Sequence, residues 1–307
     1  MYENDRTRVS RTVLPTGERV IRKEFRGSAA ARRLRHELSV LRRLAGVPGV
    51  PDLVTAVDQP DVICLADAGG VPLTTLLTGG PLPVDELLEL AVELATVIAA
   101  VHRHGVMHKD INPANVIAIG GSPSRPVLID YDLASTFAVE RPGFTHHTEI
   151  AGTLAYMAPE QTGRTGWAVD QRADLYGLGS TLYELATGGP PFGDGDPLQL
   201  THDHLTRVPT PPSEVNPDVP AALSAVIGRL LEKEPDSRYQ SAEGALHDLR
   251  RLRQQRTEGR ALAINLGERD FPWRLAAPSR PIGRDAEIAL LADALADAVA
   301  GRCRGVL

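Results

Sequence analysis

The strongest constraint on the fold is the eight-residue segment from His108 to Asn115, because it separates two regions of different periodicity. From Val84 to His104 apolar residues recur at three- and four-residue steps, which predicts a long helix, whereas the apolar run 116–119 predicts a short strand. The loop between them carries Asp110 and Asn115. An Asp and an Asn five positions apart on such a loop can serve a phosphoryl-transfer site, where the Asp accepts a hydroxyl proton and the Asn amide oxygen holds a metal ion.

Another acidic residue follows at the end of the next predicted strand. The apolar run 127–129 ends at Asp130, fifteen residues after Asn115. A carboxylate in this place suits Mg²⁺, which prefers oxygen ligands and keeps several of its waters. Three more short motifs come later in the chain, namely Ala158-Pro159-Glu160, the segment Asp174–Gly179 and the segment Pro235–Tyr239, which contains Arg238.

The order of the predicted elements indicates an α+β protein with two lobes. Residues 9 to 25 have the pattern of short strands around a turn at Pro15–Gly17, and residues 46 to 66 suggest further strands. A helix is predicted between them, from Ala29 to Leu44. After residue 158 the chain is mostly helical, with predicted helices at 171–187, 196–206, 220–233 and 241–256. A small strand-rich lobe is thus followed by a larger helical lobe.

These motifs resemble those of a bacterial eukaryotic-type Ser/Thr protein kinase domain. The resemblance runs from about residue 9 to 256 and includes, in the family's order, a strand Lys, a helix Glu, H-x-D…N, the magnesium Asp, A-P-E, a helix Asp and a late Arg. It implies the bilobal kinase fold over residues 1–256, with a small lobe of about 1–67 and a large lobe of about 71–256. The segments HKDINPANV, GTLAYMAPEQTGR and DLYGLGSTLYEL are most similar in sequence to those of kinase domains at the start of multidomain signalling proteins. In those proteins a STAND/AAA-type ATPase and often a sensor histidine kinase follow the kinase domain.

The resemblance also implies ATP and Mg²⁺ as the cofactors. Asp110 would be the catalytic base, and Asn115 and Asp130 would bind the metal and the nucleotide. The strand Val20–Lys23 resembles the family's V-A-I-K strand, so that Lys23 would pair with the phosphates and Glu37, fourteen residues later, with Lys23. Taken alone, Lys23 and Glu37 are typical of a surface strand and a solvated helix face, but the downstream motifs favour the functional pair.

The adenine-binding hinge is expected at residues 65–68, where an apolar strand meets glycine. The resemblance makes Leu65 the gatekeeper and the backbones of Ala66 and Ala68 the adenine contacts. Thr153 lies between the magnesium Asp and the A-P-E motif, where a Thr in Ser/Thr kinases contacts the catalytic Asp. This Thr favours serine and threonine hydroxyls of a protein substrate over tyrosine.

Three charged residues are expected to hold the large lobe together. Glu160 and Arg238 match the family's buried ion pair, and each should need the other because a lone buried charge is costly. Asp174 would anchor the catalytic loop from below by accepting backbone N–H groups. Small-molecule phosphotransferases of related fold lack the A-P-E motif and its Arg partner, so Glu160 and Arg238 argue against that alternative.

The sequence departs from the family pattern in four places. Residues 2–10, where a glycine-rich phosphate loop is expected, contain no glycine, so the backbone cannot approach phosphates as closely. Asp132 replaces the Gly of the metal motif, which adds negative charge near Mg²⁺ and removes a flexible hinge. Asn112 replaces a Lys aimed at the transferred phosphate, and Lys109 replaces the Arg beside the catalytic Asp. A pseudokinase that regulates an attached ATPase or sensor histidine kinase is therefore an open alternative to an active kinase.

Composition narrows the classes of partner. Lys+Arg 33 against Asp+Glu 39 gives a net charge of -6, whereas proteins that bind nucleic acid or membrane surfaces carry a basic excess. No apolar run approaches the roughly 18 residues of a membrane span, so no membrane insertion is expected. The two cysteines, Cys64 and Cys303, are far apart in sequence, which favours a reducing cytoplasmic location.

The C-terminal segment has its own pattern. Residues 257–281 combine Gly, Pro and charge with weak periodicity and are interpreted as a linker, and Asp285–Val299 predicts an amphipathic helix. Arg280–Glu287 resembles the "GRE-x-E" opening of STAND/AAA-type ATPases, so residues 282–307 are expected to be the truncated start of such a region. The alternative is a tail helix that packs on the kinase domain.

Overall fold

The computed structural model describes residues 2–54, 61–137 and 154–271, together with residues 290, 291, 294, 295 and 297. The chain forms two compact units, residues 1–271 and 272–307. The described residues of the second unit are helical. The remainder of the segment expected to open an ATPase region, including Arg280–Glu287, lies outside the described residues.

The small lobe is built on an antiparallel sheet of four strands in the order β1-β2-β3-β4, with helix α1 between the third and fourth strands in sequence. The bounds are β1 Tyr2–Glu3, β2 Thr7–Val13, β3 Arg19–Phe25, α1 Ala30–Arg43 and β4 Val62–Ala66.

Strands β2 and β3 form the hairpin predicted around Pro15–Gly17. Gly17 has a φ of 85°, a left-handed conformation that costs glycine little, and this closes the turn. The register pairs Val9 with Lys23. Because side chains alternate along a strand, Lys23 shares a face with Ile21 and Phe25, and this face is covered by the main hydrophobic core.

Helix α1 carries its buried carboxylate in the middle of an apolar stripe. Leu34, Glu37 and Leu41 are three and four residues apart and therefore lie on one face. Glu37 is only 1% exposed. A glutamate buried to this degree needs a partner, and the partner comes from strand β3.

The described part of the large lobe is mainly helical and also contains two small antiparallel sheets, β5-β7-β8 and β6-β9. Helix α3 is buried along most of its length and packs against α8 and α4. The bounds are β5 Gly70–Pro72, α2 Leu73–Leu76, α3 Val84–Arg103, β6 Val106–Met107, β7 Val116–Ile119, β8 Pro126–Leu128, β9 Ser135–Thr136, α4 Arg172–Thr187, α5 Pro197–Thr206, α6 Pro212–Val215, α7 Ala221–Leu230 and α8 Ala242–Thr257.

This architecture confirms the α+β bilobal interpretation. The long helices begin and end within a few residues of their predicted bounds. Strands β1, β5, β6 and β9 and helices α2 and α6 were not predicted, because two to four residues are too few to establish a period. Within the described ranges, none of the helices has the length and apolar character needed to cross a bilayer.

Part of the segment interpreted as a linker is docked on the large lobe. Leu262, Ile264 and Leu266 pack against its core. The carboxylate of Asp270 accepts the backbone N–H groups of Gln240 (2.8 Å) and Ser241 (3.1 Å) at the start of α8. The apolar residues of this segment follow no helical period, so only their contacts reveal that residues up to 271 belong to the first unit.

Candidate active site

Lys23 joins the two lobes. Its Nζ lies 2.6 Å from Oε2 of Glu37 on helix α1 and 2.7 Å from Oδ1 of Asp130, which follows strand β8. The Lys23 and Glu37 side chains are 6% and 1% exposed, whereas that of Asp130 is 43% exposed. The ammonium is therefore buried on the helix side, and the Asp130 carboxylate remains open toward solvent.

The charges in this cluster depend on one another. Burial disfavours the ammonium, but Asp130 and Glu37 outweigh this effect and raise the pKa of Lys23 above its ordinary value. Burial alone would raise the pKa of Asp130, yet the charge and hydrogen bond of Lys23 lower it below its usual range. Burial raises the pKa of Glu37 to about 7, although Lys23 opposes the shift. The charge on Glu37 is thus lost progressively as the pH falls through about 7.

The loop between β6 and β7 holds Asp110 with two amides. Nδ2 of Asn112 donates to Oδ1 of Asp110 over 2.9 Å, and Nδ2 of Asn115 donates to Oδ2 over 2.8 Å. Asn112 also accepts the backbone N–H groups of Ala114 and Asn115 through its Oδ1. The residue that replaces the family's Lys therefore caps the short 3-10 helix Pro113–Asn115 and orients the candidate base.

A buried carboxylate anchors this loop from below, as predicted. Asp174, at the start of α4, accepts the backbone N–H groups of His108 (2.8 Å) and Lys109 (2.6 Å). Its Oδ2 also lies 2.8 Å from Nε2 of His102. Burial disfavours the carboxylate, but the hydrogen bonds from its neighbours lower the pKa of Asp174 below its ordinary value.

Helix α4 passes close beneath the loop because it has glycine at the crossing. A Cβ added to Gly177 would lie 2.9 Å from the carbonyl oxygen of Ile111, the residue after Asp110. The loop backbone is also unusual above this crossing. Lys109 and Asp130 have φ angles of 65° and 67°, in the left-handed region that costs energy for residues other than glycine. Such conformations persist where the surroundings impose them, which is common at functional sites.

The two candidate metal ligands fit Mg²⁺. The backbone N–H of Ile129 donates to the carbonyl of Asn115 over 2.9 Å, which places Asn115 beside the strand that leads to Asp130. With Nδ2 of Asn115 committed to Asp110, its Oδ1 is the atom left for a cation. Among the described residues no group of three His, Cys, Asp or Glu could hold a metal, so this site needs ligands from phosphate and water, as Mg²⁺ sites usually do.

The predicted hinge lies at the end of β4. Leu65 is 7% exposed and pairs with Ile21 of β3. The N–H of Ala66 donates to the carbonyl of Asp52 over 2.9 Å, which leaves its carbonyl as the group suited to a ligand, and Ala68 lies beyond the strand on exposed backbone. Their roles toward adenine stay predictions.

The turn between β1 and β2 occupies the place of the missing glycine-rich loop. Oδ1 of Asn4 accepts the backbone N–H groups of Arg6 (3.0 Å) and Thr7 (2.7 Å). These amides are therefore used within the turn. The sequence signal was an Asn three residues before a strand, which is typical of an Asx-turn.

The extra carboxylate of the metal motif is neutralised by a residue that the sequence interpretation missed. Arg33 of α1 binds Asp132, with its Nε 2.8 Å from Oδ2 and 3.1 Å from Oδ1. Arg33 is one of several arginines of α1, and such a charged helix face is usually solvated. Its position one turn before Glu37 was the only available signal.

The buried ion pair of the large lobe is present. Arg238 binds Glu160 through two hydrogen bonds of 2.6 and 2.8 Å, and both side chains are fully buried. Thr153, in contrast, lies outside the described residues, so its contact with the catalytic Asp stays a prediction.

Comparison with known proteins agrees with this geometry. A family model described as the protein kinase domain matches residues 9–249. The chain is 33% identical over 210 residues to serine/threonine-protein kinase PknB of Mycolicibacterium smegmatis, a match that covers 68% of this chain and 33% of that protein. It is 37% identical over 236 residues to serine/threonine-protein kinase PkaA of Streptomyces coelicolor, covering 76% of this chain and 42% of that protein.

A third relative is more distant. The chain is 26% identical over 239 residues to the probable serine/threonine-protein kinase CPE1738 of Clostridium perfringens, covering 76% of this chain and 34% of that protein. The matches thus cover between 33% and 42% of the length of these curated relatives. Since the family model covers most of the chain and the motifs converge in space, the chain belongs to the protein kinase family, as a domain of the eukaryotic type found in bacterial Ser/Thr kinases.

Proposed function

We propose that this domain transfers the γ-phosphoryl group of ATP to serine and threonine hydroxyls of a protein substrate. The observation that carries the proposal is the contact of Lys23 with both Glu37 and Asp130, because it assembles residues from both lobes around one position. The names of the relatives, all Ser/Thr kinases, support the choice of acceptor.

In this reaction Asp110 would accept the proton of the substrate hydroxyl. Its two carboxylate oxygens accept the side-chain amides of Asn112 and Asn115. The two amides fix the orientation of the carboxylate. Positioning of this kind accounts for most of the catalysis in phosphoryl transfer, in which the base has little covalent work to do.

The nucleotide would be held by the residues on the other side of the site. Two of the three ammonium protons of Lys23 are used by Glu37 and Asp130, so one remains for a phosphate oxygen. Asn115 and Asp130 would hold Mg²⁺ through side-chain oxygens. When bound, Mg²⁺ would neutralise charge on the phosphate oxygens.

The departures from the family pattern do not dismantle this arrangement. Asn112 supports Asp110 instead of reaching for phosphate, and Arg33 neutralises Asp132. The absent Lys and the absent glycine loop remove charge stabilisation from the transition state, so we expect a slow kinase. The five-residue set nevertheless favours an enzyme over a pseudokinase.

The setting of the domain is also a proposal. The similarity of Arg280–Glu287 to a STAND/AAA-type ATPase opening supports a kinase domain followed by an ATPase or sensor module. The cysteine usage supports a cytoplasmic location. Sequencing of the coding region downstream tests the first point, since a P-loop soon after residue 307 is expected.

A phosphotransfer assay with [γ-³²P]ATP, Mg²⁺ and a generic protein acceptor tests the activity. Wild type should incorporate label into serine or threonine, and Asp110→Asn should lower the rate by about 10²-fold or more, the usual contribution of a general base. Asp236→Asn is the matched control, because the Asp236 side chain is 91% exposed and pairs with Arg172 instead of with a residue of the candidate site. Equal labelling by wild type and Asp110→Asn, or none by either, would refute the proposal.

A further inference from the structure

Arg33 makes an unusual number of contacts for a residue on a helix surface. Besides binding Asp132 through Nε, its Nη2 donates to Oγ1 of Thr7 over 3.0 Å and its Nη1 to the carbonyl of Arg6 over 3.0 Å. The side chains of Arg33 and Asp132 are only 12% and 14% exposed. The guanidinium therefore connects three segments: helix α1, the turn before β2 and the loop after Asp130.

The Arg33–Asp132 pair lies next to the cluster of Lys23, Glu37 and Asp130. Arg33 and Glu37 are four residues apart on α1, so their side chains lie on one face about 6 Å apart. Glu37 is joined through Lys23 to Asp130, and Arg33 is joined directly to Asp132. Two ionic connections, one helical turn apart, thus tie the same helix to the same short loop.

A third contact lies close by. Nε2 of His36 is 2.7 Å from the carbonyl of Ala134, two residues beyond Asp132. The helix is consequently held to residues 130–134 at three points along one turn. Rotation of α1 away from the loop would break all three contacts, including the pair that orients Lys23.

The Arg33–Asp132 pair is also mutually dependent. A carboxylate at position 132 without a counter-charge would repel the phosphates that Asp130 and its metal must attract. A guanidinium at position 33 would be largely buried without its carboxylate partner if Asp132 were removed. Bidentate contact of this kind holds both orientation and distance, which a Lys at position 33 would not reproduce.

We propose that Arg33 and Asp132 are positioning residues that hold helix α1 against the magnesium loop and thereby set the affinity of the site for magnesium-bound nucleotide. Both side chains belong to unmodified residues of the chain, so this connection forms without covalent modification. The inference deepens the proposed function, on which it rests for the identity of the ligand.

A double-mutant cycle tests the proposal, with Arg33→Gln, Asp132→Asn and the double variant. The measured quantity is the dissociation constant of MgADP, determined by calorimetry, with KM for MgATP and kcat measured alongside. We expect each single variant to weaken MgADP binding about tenfold and the double variant to be no weaker than either single one, because each substitution removes the same interaction. The exchanged variant Arg33→Asp/Asp132→Arg should recover part of the affinity.

The control is Arg35→Gln, because Arg35 is exposed on the same helix. It should leave MgADP binding within about twofold of wild type. Hydrogen exchange of the amides at 34–38 should be faster in the Arg33 and Asp132 variants than in this control.

Several results would overturn the proposal. Additive losses in the cycle, or losses matched by Arg35→Gln, would show that the two residues do not act through each other. A lower Tm with unchanged MgADP affinity would reduce the pair to a structural contact, and no MgADP binding by wild type would remove the ligand itself. If wild type binds MgADP but labels no acceptor, the proposed function fails while the cycle still decides the role of the pair.

Discussion

Replacing Glu160 by alanine would leave the guanidinium of Arg238 buried without a counter-charge. Both side chains are fully buried, and two hydrogen bonds of 2.6 and 2.8 Å join them. The other donors of Arg238 go to backbone carbonyls, those of Glu232 (2.6 Å), Arg172 (3.1 Å) and Lys233 (2.8 Å). Arg238 is therefore tied in place by its neighbours and cannot turn to solvent when Glu160 is removed.

The magnitude follows from this geometry. Removing one partner of a buried ion pair costs about 3–5 kcal/mol, because the remaining charge stays desolvated. The first compact unit has 271 residues. With an unfolding entropy of about 2.1 cal/mol/K per residue, such a loss corresponds to a Tm lower by roughly 5–9 °C.

Thermal unfolding followed by far-UV circular dichroism measures the change, with urea titration as a second measurement. The matched control is Asp236→Ala, which removes an acidic partner of Arg172 that is 91% exposed. Exposed pairs contribute little, so its free energy of unfolding should change by less than about 1 kcal/mol. The double variant Glu160→Ala/Arg238→Met should be less destabilised than the sum of its single variants, because no lone charge remains.

A loss below about 1 kcal/mol for Glu160→Ala would refute the reasoning, since it would mean that water or another group solvates Arg238 at little cost. Equal losses for Glu160→Ala and Asp236→Ala would do the same, because burial would then have no influence on the value of the pair.

Three further predictions concern pH, packing and the C-terminal segment. Burial raises the pKa of Glu37 to about 7, and the ion pair needs the ionised carboxylate, so kcat/KM for MgATP should fall as the pH drops through about 7. Glu37→Gln should have low activity at every pH and should lack this bend in the pH profile. A bend of equal size in both proteins would contradict the prediction. Gly177→Ala should lower kcat roughly tenfold, because the added methyl group would displace the catalytic loop. In Gly179→Ala the added Cβ would lie 2.7 Å from the side chain of Leu230, so this variant should lose stability but keep kcat within about twofold of wild type. Equal losses of kcat in the two variants would contradict the prediction. Asp270→Ala should lower the free energy of unfolding by about 1–3 kcal/mol, because the backbone N–H groups of Gln240 and Ser241 before α8 lose their acceptor. An unchanged urea midpoint would indicate that the segment is not docked in solution.

The fold class and most residues of the candidate site could be predicted from the amino-acid sequence. Long periods establish helices, so α3, α4 and α8 could be placed from their apolar repeats. The motif residues Lys23, Glu37 and Asp130 could be chosen because their order and spacing match the family. Asp174 and the Glu160–Arg238 pair followed from the same resemblance, and the structure contains both interactions.

The effects of the departures from the family pattern could be seen only in the contacts of the folded chain. Asp132 indicated only an added negative charge, and the guanidinium that neutralises it comes from a helix 99 positions away in the chain. Asn112 indicated a lost lysine, whereas its amide orients Asp110 and caps the loop. Residues 257–271 had the pattern of a linker, but the apolar side chains of this segment pack on the large lobe. Local periodicity reports the neighbours of a residue along the chain, whereas charge neutralisation and docking depend on groups that meet only when the chain has folded.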